Sequence, residues 1–228
     1  MADGSPTNAP RDCPLCPRLR AFILAQRAEH PDWFNAPVPT FMPKEGPSAV
    51  RFLIVGLAPG LRGANRTGRP FTGDYAGDLL YATLQDFGFS SGTFEADPND
   101  GVRLHGTAIT NAVRCVPPEN KPIGAEINTC RRFLAATIAS MPNLTTILTL
   151  GKIAHDTTVR TLGGRLADHP FGHGAVSDLG RLRLHASYHC SRYNTNTGRL
   201  TEAMFRDVFG GIAAALNSNR PPESRQQG

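Results

Sequence analysis

Four short apolar runs alternate with helix-length segments along this 228-residue chain, and that alternation restricts the fold more than any other feature. The runs are RFLIVG (residues 51–56), TAITNAV (107–113), LTTILTL (144–150) and RLRLHAS (181–187), each bounded by glycine, proline or polar residues. Helical spacing of apolar positions falls at 76–87, 125–140, 152–162 and 197–216, with an earlier segment at 17–27. Strands that alternate with helices are joined by crossover connections, which predicts an α/β fold: a three-layer α/β/α sandwich around a mainly parallel, four-stranded sheet. Residues 1–11 and 218–228 lack apolar periodicity and read as loose tails, leaving 12–217 as one domain.

In open parallel sheets ligands gather outside the carboxyl ends of the strands. Three polar segments follow strands here: GLAPGLRGANRTGRPFTGD (56–74), TNAVRCVPPENKP (110–122) and YHCSRYNTNTGRLT (188–201). They are expected to converge on one edge of the sheet. Lys and Arg number 24 against 19 Asp and Glu, a formal charge of +5 that favours a polyanionic partner. The three segments carry Arg62, Arg66 and Arg69, then Arg114 and Lys121, then Arg192 and Arg199. No stretch approaches the roughly 18 consecutive apolar residues of a membrane span, and MADGSPTNAPRD lacks the layout of a signal peptide. The expectation is a cytoplasmic, nucleoid-associated protein with no membrane partner.

The first segment matches neither G-x-G-x-x-G nor G-x-x-x-x-G-K-[ST], which weakens a nucleotide-phosphate reading. Its glycines permit close backbone approach to a ligand, while Pro59 and Pro70 stiffen the path. Phe71, in a polar loop, suits either a lid packed on the next helix or a platform for a base, with stacking worth about 1–3 kcal/mol. Asp74 stands just before a predicted helix, as an N-cap, a catalytic carboxylate or both. Asn111, at a strand end, either closes a turn or offers the donor and acceptor that reading the polar edge of a base requires. His189, just past a strand, is either structural or a donor to an oxygen that gains negative charge.

Five cysteines comprise the pair Cys13 and Cys16, then Cys115, Cys130 and Cys190. In a reducing compartment a close pair with two later partners reads as a four-thiolate metal site, and spacing leaves zinc and a [4Fe-4S] cluster both open. His105, His155, His169, His173 and His185 show no metal-ligand spacing.

Taken together, the three segments resemble the family 5 uracil-DNA glycosylases over about residues 13–210. The resemblance implies a monofunctional DNA repair glycosylase acting on DNA that contains uracil or other deaminated or damaged bases such as hypoxanthine. Such an enzyme flips the base out and hydrolyses its N-glycosidic bond, leaving an abasic site without a lyase step. It also implies a structural [4Fe-4S] cluster on Cys13, Cys16, Cys115 and Cys130, with structural zinc as the alternative.

On this reading Asp74 orients water and counters positive charge at the sugar, His189 stabilises the departing oxygen, Phe71 stacks on the base and Asn111 reads its edge. The backbone of Gly56, Leu57, Ala58, Pro59 and Gly60 lines the pocket. Arg66, Ser191, Arg192, Tyr193, Asn194, Thr195 and Asn196 contact DNA, the last five as a wedge in the duplex, and the protein acts as a monomer. Family 4 enzymes usually carry a carboxylate where this chain has Leu57-Ala58, which favours family 5 and leaves Asn65 as a reserve for positioning water. Cys190 replaces the family's usual proline in H-P-S-R, removing some stiffness from that loop. The alternatives are a uracil-specific family 4 type enzyme and a non-catalytic iron-sulfur protein that binds DNA. A nucleotide hydrolase would need metal-binding carboxylates grouped near the first strand, where only Asp74 and Asp78 stand.

Overall fold

The computed structural model describes residues 6–218. In order these form α1 (Pro17–Glu29), β1 (Phe52–Gly56), α2 (Ala64–Thr67), α3 (Tyr75–Asp86), β2 (Ser90–Ser91), β3 (Arg103–Leu104) and β4 (Thr107–Asn111). There follow α4 (Gly124–Ala139), β5 (Thr146–Leu150), α5 (Lys152–Thr161), β6 (Val176–Leu179), β7 (Leu182–Ser187), α6 (Arg192–Asn196) and α7 (Glu202–Ser218). None of these helices is long and apolar enough to cross a membrane.

The main sheet has the order β4-β1-β5-β7-β6. The four strands expected from the sequence pair in parallel, and β6 adds antiparallel to β7, so the sheet has five strands rather than four. The extra strand, VSDL, is an edge whose residues alternate between exposed and half-buried, and it therefore carries no apolar run. At the opposite edge, Phe41 exchanges both backbone hydrogen bonds with Ile109 and covers β4.

Both faces of the sheet are buried, which explains why β1 reads as an unbroken apolar run although its side chains alternate. Phe52 and Ile54 pack with Leu80, Leu84, Phe205 and Phe209 of α3 and α7 on one face. Leu53 and Val55 pack with Leu134, Ile138, Ala154 and Val159 of α4 and α5 on the other. The long C-terminal helix begins at Glu202, not at Thr197 as expected. Gly198 takes a left-handed φ of 70° that interrupts the helical path, and Thr201 restarts it by accepting the Met204 N–H at 3.2 Å.

The loose N-terminal tail expected over residues 1–11 is pinned in its described part. The Thr7 carbonyl accepts from Thr137 Oγ1 at 3.0 Å, and the Asn8 side chain accepts the Thr40 N–H at 3.0 Å. Its polar composition conceals this role because the ties use a carbonyl and an amide. Of the C-terminal tail expected over 218–228, Ser218 closes α7 and the remainder lies outside the described residues.

Two arginines expected to add positive charge to the loops are instead internal. Arg114 is buried, donating to the hydroxyls of Thr40 at 2.8 Å and Thr137 at 2.7 Å and to that of Thr110, and so ties β4 to α4 and the N-terminal segment. Loss of hydration lowers its pKa to about 10. Arg69 makes a two-pronged pair with Asp100, both distances 2.7 Å, while its guanidinium lies over the rings of Phe41, Tyr81 and Phe94 at 5.2–5.7 Å. Burial alone would raise the Asp100 carboxyl, but hydrogen bonds from Arg69 and from the N–H groups of Val102 and Glu95 hold it below its ordinary value.

Asp100→Asn strips the buried guanidinium of its charge partner and is expected to cost about 3–5 kcal/mol of stability in urea unfolding. The double change Arg69→Met with Asp100→Leu should cost less than the single one. Because the folded carboxyl is depressed, the pair's contribution is complete above the unfolded value of about 3.9 and is lost as pH falls through the lower folded value.

Candidate active site

The carboxyl ends of β1, β4 and β7 open onto one cavity of about 560 Å³. Residues 57–64 form one wall, Phe71, Asp74, Tyr75 and Ala76 a second, Asn111 and Asn120 a third, and His189, Ser191 and Arg192 the last. The convergence expected from the strand-end rule is thus present, and the volume falls in the usual range for small-ligand sites.

Three segments meet tightest at Gly56. A Cβ there would lie 2.4 Å from Asn111 Oδ1 and 2.6 Å from Phe71 Cζ, so only glycine lets the aromatic ring and the amide approach the end of β1 together. Phe71 itself takes a left-handed φ of 53°, a costly conformation for an aromatic residue. Its neighbours enforce it: Arg69 Nε donates to Thr72 Oγ1 at 2.7 Å, and the Tyr81 hydroxyl donates to the Pro70 carbonyl at 2.8 Å. The caged Arg69 is therefore the anchor of the Phe71 turn.

Asp74 occupies the N-cap position of α3, but its side chain makes no capping hydrogen bond. Instead Oδ2 sits where a Cβ on Gly63 would lie only 2.3 Å away, and Oδ1 is buried with no protein partner. Burial raises the pKa of this carboxyl above its ordinary value, against the lowering effect of the nearby N–H groups of Gly77 and Ala76. A buried carboxylate oxygen left unpaired at a cavity wall is a group held ready for an external partner.

His189 stacks against Phe71, with centroids 5.8 Å apart and planes at 27°. Its surroundings lower its pKa to about 4 by loss of hydration, so the imidazole is neutral at physiological pH and can donate one N–H. Its backbone is fixed by Asn194, whose Nδ2 donates to the His189 carbonyl at 2.8 Å. Cys190, fully buried, donates its thiol to the Ala76 carbonyl at 3.4 Å and ties this loop to the start of α3. The stiffness expected to be missing without proline is thus supplied in part by that contact.

Several expected site residues stand elsewhere. Asn65 is fully buried and donates to Asn35 Oδ1 at 2.8 Å, so it does not line the cavity and is not placed to hold water there. Arg66 lies on the outer face of α2, outside the cavity. Residues 192–196, expected to wedge the duplex, form the short helix α6, capped by Ser191. On it Arg192, Tyr193 and Asn196 are exposed, whereas the Asn194 amide and the Thr195 hydroxyl are turned to backbone carbonyls. Tyr75 and Asn120 line the cavity without having been singled out by the sequence, and Arg62, expected only as one of the positive charges of the first segment, lines it too. A signal for Asn120 was the P-P-E-N turn, in which Glu119 and Asn120 both take left-handed φ values of 56° and 57°.

Away from the cavity, Cys13, Cys16, Cys115 and Cys130 gather in one apolar cluster with Leu19 and Ile23 of α1 and Phe133 of α4. The Arg114 N–H donates to Cys130 Sγ at 3.2 Å. Burial pushes the Cys16 thiol up to about 11 and also raises Cys115 and Cys130, with the neighbouring thiols adding to each shift. Four thiols in one cluster match the donor set of a shared metal group, while among the described residues no three His, Cys, Asp or Glu side chains stand close enough together to hold a metal ion.

The model of the uracil DNA glycosylase superfamily matches residues 43–211. The type-5 uracil-DNA glycosylase of Thermus thermophilus is 45% identical over 204 residues, covering 86% of this chain and 90% of that protein. The type-5 uracil-DNA glycosylase of Mycobacterium bovis is 41% identical over 207 residues, covering 86% and 75%. That of Pyrobaculum aerophilum is 35% identical over 207 residues, covering 89% and 88%. The matched region contains all three strands whose ends build the cavity, together with the loops bearing Phe71, Asp74, Asn111 and His189, and the chain belongs to the type-5 branch of the uracil DNA glycosylase superfamily.

Proposed function

We propose that this protein excises uracil from DNA by hydrolysing the N-glycosidic bond, leaving an abasic site. The observation that carries the reading is the pairing, in one cavity, of a buried carboxylate with an unpartnered oxygen and a neutral histidine stacked on an aromatic ring. Cleavage of this bond develops positive charge on the sugar and negative charge on the departing base. Asp74 answers the first charge and orients the attacking water. His189 donates its N–H to the base oxygen, Phe71 holds the ring and Asn111 reads its polar edge. No lysine is among the residues that line the cavity, which favours simple hydrolysis over a Schiff-base route with strand cleavage. A volume of about 560 Å³ has room for a purine as well, so hypoxanthine is a second substrate on this reading.

Cys13, Cys16, Cys115 and Cys130 would hold a [4Fe-4S] cluster. Their gathering in one apolar cluster supports a shared four-thiolate group, with structural zinc as the alternative. When bound, such a cluster would supply a cross-link among the N-terminal segment, the loop after β4 and α4, beside the Arg114 network.

Incubation with a uracil-containing duplex followed by alkaline cleavage of abasic sites tests the proposal. Wild type should cut, Asp74→Asn should be slower by about a hundredfold to ten-thousandfold, and His189→Ala by about a hundredfold to a thousandfold. Undiminished cutting by both variants would overturn the assigned roles, and an inactive wild type would overturn the activity. Gly56→Ala should abolish cutting while leaving the far-ultraviolet circular dichroism of the fold in place.

The rate should fall on acidification as Asp74 is protonated, with a midpoint above the ordinary aspartate value, and this limb should vanish in Asp74→Asn. His189 stays neutral above about pH 4 and should add no transition near pH 6.5. For the thiol site, protein purified without oxygen should absorb visible light and contain about four irons per chain. Zinc in place of iron would contradict the cluster.

A further inference from the structure

We propose that the turn bearing Trp33 and the outer face of α2 together form a groove that grips the DNA strand flanking the excised base. The inference rests on the reading of the cavity as the site of base excision. Trp33 is the only tryptophan in the chain, and its ring stacks on His30, with centroids 3.9 Å apart and planes at 14°. Trp33, His30, Arg62 and Arg66 line a hollow of about 450 Å³, and a second hollow of about 400 Å³ shares Trp33 and Arg66 and adds Arg11. Asp32 is the one carboxylate among the residues lining either, against three arginines.

Arg62 borders both the first hollow and the base cavity. A strand whose base enters the cavity therefore leaves it across Arg62 toward Trp33 and Arg66. Guanidinium groups set beside a half-buried ring are what a nucleic acid strand recognises, the cations meeting phosphates and the ring's open side meeting a base or sugar.

The groove is built to hold its shape. Phe34 and Asn35 donate their N–H groups to the carbonyls of Arg66 and Asn65, both at 3.0 Å, stitching the turn to α2. Asn65 Nδ2 adds a bond to Asn35 Oδ1 at 2.8 Å, and Asn35 Nδ2 closes the end of α1 through the His30 carbonyl at 2.7 Å. Arg66 is oriented by donating its Nε–H to the Arg62 carbonyl at 2.9 Å. Asn65, which does not face the cavity, thus becomes a positioning residue for the groove.

Because Trp33 is alone, its fluorescence reports the groove directly. Titration with a duplex carrying an uncleavable abasic-site analogue should change Trp33 emission saturably, in step with binding read by anisotropy of labelled DNA. Arg66→Gln should raise KM several-fold with little effect on kcat, and flatten the slope of log Kd against log salt by about one. Trp33→Ala should weaken binding about tenfold, with partial recovery in Trp33→Phe.

Binding with unchanged Trp33 emission, or an unaltered salt slope in Arg66→Gln, would overturn the proposal even if Trp33→Ala failed to fold. Emission that responds to protein concentration and not to DNA would assign the groove to a second copy of the chain and overturn it equally. The abasic duplex separates the two readings, since the groove is probed without any excision, whereas failure of wild type to excise uracil would count against the cavity alone.

Discussion

The absence of a side chain at Gly56 is the constraint on which the rest of the site depends. At that point the end of β1, the Asn111 amide from β4 and the Phe71 ring approach within distances that no Cβ would allow. The sheet fixes two of the three partners, because Gly56 and Asn111 are register partners in a fully buried parallel pair. The third is brought in by a loop whose conformation is costly and whose anchor lies outside the cavity, in the Arg69 cage closed by Asp100. Core packing, a buried ion pair and one glycine together bring an aromatic ring and an amide side by side at the end of β1.

Electrostatics divides the cavity between two groups moved in opposite senses by the same cause. Loss of hydration makes the Asp74 carboxyl a weaker acid and the His189 imidazole a weaker base, so the first, which keeps an unpaired oxygen, takes up a proton more readily than an ordinary aspartate, while the second is a neutral donor near pH 7. A reaction that separates into a cationic sugar and an anionic base needs both, on opposite sides of the bond. Cys190 contributes by tying the His189 loop to the turn that carries Asp74, through the Ala76 carbonyl.

Much of this was legible in the sequence, for identifiable reasons. The four parallel strands are buried on both faces and appear as apolar runs, and the strand-end rule then brought Phe71, Asp74, Asn111 and His189 to one edge. The edge strand β6 escaped because half-exposed residues leave no run. Charge misled at Arg69 and Arg114, since a sequence does not reveal that aromatic rings, a carboxylate or threonine hydroxyls will enclose a guanidinium. Asn65 misled because its neighbour in the Gly-rich loop, Ala64, faces the cavity while its own amide turns to Asn35, thirty residues earlier. The pinning of Thr7 and Asn8 escaped because it runs through backbone and amide groups with no compositional signature.

On the proposed mechanism one cavity receives the extruded base, with Asp74 at the sugar and His189 at the base oxygen. A crystal structure of Asp74→Asn bound to a uracil-containing duplex tests it most directly. The expected result is an extrahelical uracil lying on Phe71, its polar edge at Asn111, an oxygen within hydrogen-bond distance of His189, and residue 74 facing the sugar carbon that bears the base. A uracil still stacked in the duplex, or bound in a different hollow, would contradict it.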